Sequence, residues 1–264
     1  MNIKWDAEKY HSDFSFVHQY GNGVAELIDA EKGSTVLDLG CGSGALSKAL
    51  QDKGYVVKGL DASGELLAAA KKNYPGIEFM RGDAADFSLE EPVDVVFSNA
   101  VFHWIDEERQ QDMMRCVYNA LKENGQFVFE LGGYGNNRLI HRALEEAFSE
   151  RQYTYRMPFY FPTISRYASL LENTGFRVKY AALFDRPTEL KGENGMKDWI
   201  NMFIKTPFSV IEDEDERETV TEKAVDKLRD ALYRDGRWYA DYVRLRMKAV
   251  RLQEGSENTR MVTL

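Results

Sequence analysis

The chain has 264 residues, 44% hydrophobic and 29% charged, which suits a soluble globular protein with an ample core. Its net charge of −9 comes with no basic stripe, so neither nucleic acid nor an anionic membrane surface is an expected partner. Two cysteines, Cys41 and Cys116, are too few for a disulfide framework or a zinc site, no apolar run approaches the roughly 18–20 residues that span a bilayer, and the polar, aromatic start MNIKWDAEKYHSDF lacks a signal peptide's apolar stretch, all of which point to the cytoplasm with both thiols reduced.

In chain order, Ser34–Leu39 reads as a buried strand. A helix follows at Ala45–Lys53, ended by Gly54. Tyr55–Leu60 is a second strand and Gly64–Asn73 a second helix, stopped by Tyr74-Pro75-Gly76. Ile77–Arg81 is a short third strand, and Val93–Ser98 (VDVVFS) is a β-branched fourth. Asp106–Lys122 is a helix with Met113, Met114, Val117 and Leu121 on one face. Glu123-Asn124-Gly125 stops it before a fifth strand, Gln126–Leu131. Alternation of this kind predicts a parallel sheet covered by helices on both faces.

After Gly132-Gly133 the rhythm changes. Asn137–Glu150 reads as a helix, and the aromatic stretch Arg151–Pro162 as a loop laid over something. Ser165–Thr174 is a helix closed by Gly175, and Arg177–Asp185 a strand. Met196–Ile204 and Glu218–Leu232 are helices. Trp238–Leu252 alternates late and ends in a final strand, and Gln253–Leu264 is a tail with little to pack against. The acidic run EDEDERE (Glu212–Glu218) reads as a solvated helix entrance or loop. The helices between the last strands would form a cap on one sheet.

The chemistry lies in VLDLGCGSG (36–44). A strand, a G-x-G-x-G loop and a helix bring backbone N–H groups close to a ligand, because glycine has no Cβ and accepts positive φ. The same residues, through Ala45, satisfy G-x-G-x-x-A, a form of the nicotinamide-dinucleotide fingerprint, and Asp61 stands about 20 residues on, where a carboxylate holds ribose hydroxyls in either case. Asp38, two residues before Gly40, is unhelpful to a pyrophosphate and welcome to an ammonium and a sulfonium. Asp83, in RGDAADF, stands where it can accept from an adenine's amine. Three acids at the ends of three strands favour a cationic nucleoside over a dinucleotide.

These pieces, with GLDAS (59–63), GDAADF (82–87), VDVVFSNAVFHWI (93–105) and LKENGQFVFEL (121–131), resemble a class I S-adenosylmethionine-dependent methyltransferase in order and spacing, over about Gly33–Leu131. The resemblance implies an α/β, Rossmann-like, seven-stranded, mostly parallel sheet with helices on both faces and a helical cap from the C-terminal half. It implies one unit over 1–264: an N-terminal helical lid (1–32), a cofactor-binding core (33–131), a cap with the sixth strand (132–235), and the last strand and tail (236–264). S-adenosylmethionine would be the cofactor, S-adenosylhomocysteine the product, and no metal would be needed. Gly40, Cys41 and Gly42 would approach the methionine part, with Asp38 at its ammonium. Asp61 would hold the ribose, Ala62 and Leu66 would flank the adenine, and Asp83 with Ala84 would read its edge. Asn99 and Ala100 would present backbone beneath the methionine part. Tyr10 and Phe14, four apart and so on one helix face, would close over the cofactor.

SNAVFHWI (98–105) lacks the Asp/Asn-Pro-Pro-Tyr of enzymes that methylate amines of nucleic acids or protein amides. It resembles the trans-aconitate methyltransferase group, as do KWDAEKY near the N-terminus and, more loosely, FPTISRYASLLENTGF and GMKDWINMF. That group usually has Gln where this chain has His103. The resemblance implies a small-molecule acceptor, a carboxylate that needs only placement and a cationic clamp. A hydroxyl or phenol deprotonated by His103 is the alternative. A nicotinamide oxidoreductase and a non-catalytic S-adenosylmethionine-binding protein are readings from other classes. Trp104 would wall the site, and Arg138, Arg156 and Arg186 are candidates for the clamp, since a guanidinium matches a carboxylate bidentately. The chain is expected to act as a monomer.

Overall fold

Four consecutive buried residues, Val36 to Leu39, all apolar but Asp38, suit a strand covered on both faces, and they place β1 (Thr35–Leu39) in the middle of a sheet. The structure, a computed structural model, describes residues 21 and 23–252. After β1 come α1 (Ala45–Asp52), β2 (Val56–Asp61), α2 (Gly64–Asn73), β3 (Glu78–Arg81) and β4 (Val93–Asn99). Two 3₁₀ turns lead into α3 (Gln110–Ala120), followed by β5 (Leu121–Gly132), α4 (Arg138–Glu150), α5 (Ile164–Thr174) and β6 (Phe176–Leu190). The chain continues through α6 (Gly195–Phe203), the single turn α7 (Lys205–Phe208), α8 (Glu214–Leu232), β7 (Tyr233–Arg234) and β8 (Arg237–Arg251).

The sheet order is β3-β2-β1-β4-β5-β8-β6. The first five strands are parallel, and β8 enters between β5 and β6 antiparallel to both. On one face α3 and α5 pack Met113, Met114, Val117, Tyr167 and Leu171 onto Phe127 and Phe129. Full burial of each such ring contributes about 1.5–3 kcal/mol. On the other face Leu46 and Leu50 of α1, with Val24 and Ile28, cover Val36, Val95, Phe97 and Val128. A further cluster, built from α4, α6 and α8 around Trp199 and Trp238, forms the cap.

The mostly parallel sheet with helices on both faces is as expected, but it has eight strands rather than seven. The extra one is β7, which pairs with the start of β8 through Asp235-Gly236, at φ 51° and 75°, the two positive angles of the tight hairpin turn that Asp-Gly favours. Three other spans differ from expectation. The helix expected over Asp106–Lys122 is one 3₁₀ turn, Glu107–Arg109, and then α3, which ends at Ala120. The strand expected from Gln126 already pairs Leu121 with Val93, and its register shifts before Gln126 meets Val95. β6 runs five residues past Asp185, through Pro187, which an edge strand tolerates. The acidic run is a helix entrance: Asp213 accepts the N–H groups of Asp215 and Glu216, and acids fill the first turn of α8, where the helix dipole favours them. The expected lid residues Tyr10 and Phe14 lie outside the described residues.

Candidate active site

A cleft opens at the carboxyl ends of β1, β2 and β4, where ligands bind in open α/β sheets. Its floor is the loop between β1 and α1. The Gly40 N–H donates to the Leu60 carbonyl at 2.7 Å, so the loop is tied to β2. Gly40 has φ 80°, and a Cβ there would stand 2.2 Å from Cγ2 of Val101. Both the backbone angle and the close approach therefore require glycine. Val101 reaches that position because Ala100 takes φ 61°, a left-handed conformation that costs a non-glycine residue about 1–3 kcal/mol. The Ala100 N–H, donated to the Glu130 carbonyl at 2.8 Å, holds it there.

Two acids flank this loop. Asp38 is buried and accepts the Ser47 hydroxyl at 2.5 Å. Burial pushes its carboxyl up to about 7; the Ser47 hydrogen bond opposes this and nearby Asp61 adds to it. Asp61 accepts the Gly42 N–H at 2.9 Å and the Ser63 N–H at 2.8 Å, yet burial still raises it above the ordinary carboxylate range. Leu66, Asn99 and Ala100 line the same cleft, and Cys41 does so with a thiol that burial makes harder to ionise. A recess containing Ala62, Asp83, Ala84, Ile105 and Arg109 adjoins it, sharing Gly40, Asp61, Val101 and Trp104 with the main cleft. Asp83 accepts the Ala85 N–H at 2.9 Å and Arg109 at 2.8 Å. Burial would raise its carboxyl, but these two contacts outweigh it and hold it low.

Opposite the acids stands His103, buried in the 3₁₀ turn after β4. Its Nδ1 accepts the Gly132 N–H at 3.2 Å. A ring nitrogen that accepts carries no proton, so the ring's proton is on Nε2. Burial, with Arg244 adding to it, holds His103 well below the usual imidazole range, and the ring is neutral. Arg244 pairs with Gly132 across β5 and β8, is itself buried, and lies 4.1 Å over the Tyr242 ring. Trp199 of α6 donates to the Tyr242 hydroxyl at 2.6 Å, joining the cap to the sheet. The loop before α5 covers this end: Tyr160 N–H donates to the His103 carbonyl, and Phe159 and Phe161 line the cleft with Trp104.

The arginines expected as clamps sit elsewhere. Arg138 and Arg156 are exposed and do not line the cleft. Arg186 donates bidentately to Glu130, at 2.6 and 2.8 Å, because Glu130 is a buried carboxylate that needs the charge; Arg246, its cross-strand neighbour on β8, donates to it as well. Among the described residues the cation lining the cleft is Arg244, with Tyr242, Trp199, Phe203 and Asn137 also lining it. None of these was singled out from the sequence. The period-two alternation of Tyr242, Arg244 and Arg246 against Val243, Leu245 and Met247 was the available signal, since it puts the polar set on one face of β8.

The site suits a ligand with a cationic and a nucleoside part on two counts. The carboxylates of buried Asp38 and half-buried Asp61 accept from a hydroxyl and from backbone N–H groups, and the glycine loop leaves a bare cradle beside them. Among the described residues no group of three or more His, Cys, Asp or Glu is placed to hold a metal ion, and no helix is long and apolar enough to cross a membrane.

Comparison with known proteins points the same way. Residues 36–125 match the family described as methyltransferase domain. The chain is 30% identical to the uncharacterized methyltransferase C70.08c of Schizosaccharomyces pombe, over 93% of this chain and 97% of that one. It is 28% identical to the trans-aconitate 2-methyltransferase of Mycobacterium tuberculosis, over 74% of this chain and 76% of that one. In fold it is similar to the solved structure of a SAM-dependent methyltransferase from Methanosarcina mazei, with a TM-score of 0.55 at 18% identity, covering 85% and 95% of the two chains.

Proposed function

This chain belongs to the class I S-adenosylmethionine-dependent methyltransferases, and from that premise we propose that it methylates the carboxylate of a small molecule. When bound, S-adenosylmethionine supplies a methyl group made electrophilic by its sulfonium. Asp38 would face its ammonium and Asp61 its ribose. Gly40, Cys41 and Gly42 would lie against the methionine part, over Asn99 and Ala100. Ala62, Leu66, Asp83 and Ala84 would enclose the adenine.

The observation that carries the acceptor assignment is the Gly132 N–H on His103 Nδ1. It leaves Nε2 as a donor, and a donor cannot take a proton from a hydroxyl. A donor beside a buried guanidinium suits an anion that already has its electron pair and has no proton to lose. Relatives named trans-aconitate 2-methyltransferase support the reading, since aconitate is a carboxylate. The chain's remaining work is placement and exclusion of water, for which the aromatic loop and the cap provide the walls.

His103→Gln tests this, because Gln also donates from a neutral group. The variant is expected to keep kcat within about threefold of wild type, with no ionisation near pH 6.5 in either rate profile; a loss of about 10²–10⁴-fold is the signature of a missing base and would refute the donor role.

A further inference from the structure

Resting on that carboxylate reading, we infer that the acceptor is a monocarboxylic acid with a flat apolar body, and not a di- or tricarboxylic acid. Six aromatic side chains line the cleft: Trp104, which also borders the recess at Asp83, and Phe159, Phe161, Trp199, Phe203 and Tyr242. Phe159 and Phe161 stack at 5.4 Å with planes 26° apart, and Trp104 meets Phe159 edge-on at 4.6 Å. Such walls offer ring faces to a planar guest.

The charges point to one carboxylate. Among the described residues lining the cleft, Arg244 is the one with a permanent positive charge, and His103 is neutral. The acids there are Asp38 and Asp61. One guanidinium with a neighbouring Nε2–H can satisfy one carboxylate. A second or third would give up its water against ring faces, whose π-clouds are themselves negative, and would add charge of the same sign as Asp38 and Asp61. Arg138, Arg156 and Arg186, which could have answered further carboxylates, lie outside the cleft lining. The chain's own side chains therefore set a different specificity from the one in the Mycobacterium relative's name.

Calorimetric titration of the protein saturated with S-adenosylhomocysteine decides this without relying on turnover. Three probes are compared: trans-cinnamate, cinnamyl alcohol and trans-aconitate. Cinnamate is expected to bind at least about tenfold more tightly than either of the others, and Phe159→Ala to weaken cinnamate by about tenfold, with S-adenosylhomocysteine binding as the check that the variant is folded. Tighter binding of trans-aconitate than of cinnamate would overturn the inference and leave the carboxylate reading standing. Tighter binding of cinnamyl alcohol than of either acid would overturn both.

Discussion

Asp38 is a carboxyl group for which the folded chain alone is a poor solvent. Burial raises it from an ordinary 3.8 to about 7, so the folded protein holds its proton more tightly than the unfolded chain does. Its contribution to stability is therefore fully present below about pH 4 and is lost as pH rises through about 7. A bound ammonium would reverse this by favouring the carboxylate. Cofactor binding at pH 6 is then expected to release about one proton, seen by calorimetry as a binding enthalpy that depends on the buffer's ionisation enthalpy. Asp38→Asn should abolish that dependence and weaken binding by about 1.5–3 kcal/mol. A buffer-independent enthalpy for the wild type would remove Asp38 from the ammonium. The same scale separates what the sequence could say from what it could not. Asp38 and Gly40 announce themselves because they stand at one loop, and Asp61 because it ends the next strand, at the spacing the loop motif sets. The protonation of His103 depends on the N–H of Gly132, 29 positions away, and no local pattern carries it.

Elements show how partners far apart in sequence complete one another. Helix α4 begins at Asn137, whose φ of 53° precludes the usual capping geometry, and its side chain caps nothing. The cap comes from β8 instead: Asp241 accepts the Leu139 N–H at 2.8 Å. Burial pushes Asp241 up to about 6, against the pull of the helix N–H groups. Asp241→Ala is expected to cost about 0.5–2 kcal/mol in urea denaturation. Asp241→Asn keeps an acceptor but cannot titrate. The stability of wild type relative to that variant should be greatest below about pH 4 and should fall as pH rises through about 6; a pH-independent difference would deny the shift. Element types were legible where periodicity is strong, as in Met113, Met114 and Val117 of α3, while α8 begins at Glu214, four residues before the expected Glu218. Element ends were not. β6 outruns its apolar pattern because β8 pairs with it as far as Leu190, and tertiary pairing overrides local preference.

At the scale of the whole molecule, the cleft has two origins. The half that carries the glycine loop is built by β1, β2, β4 and the loops after them, one contiguous stretch whose motifs stand in the sequence in plain order. The other half, where we propose that the acceptor binds, is assembled from the turn at His103, the loop at Phe159, helix α6 and strand β8, brought together by the insertion of β8 between β5 and β6. The buried Glu130, bound by Arg186 of β6 and Arg246 of β8, ties those three strands beneath it. This is why the glycine loop and the acids beside it were readable in advance while Arg244 was not: a buried arginine on a final strand looks like any other until the strand order is known. The central claim is that the methyl group ends on a carboxylate. It is tested most directly by incubating the protein with methyl-labelled S-adenosylmethionine and a metabolite extract, then treating the labelled product with mild base. Release of the label as volatile methanol is the predicted result, since a methyl ester is cleaved by base. Label that stays with the product would mean an ether, amine or carbon acceptor and would contradict the account.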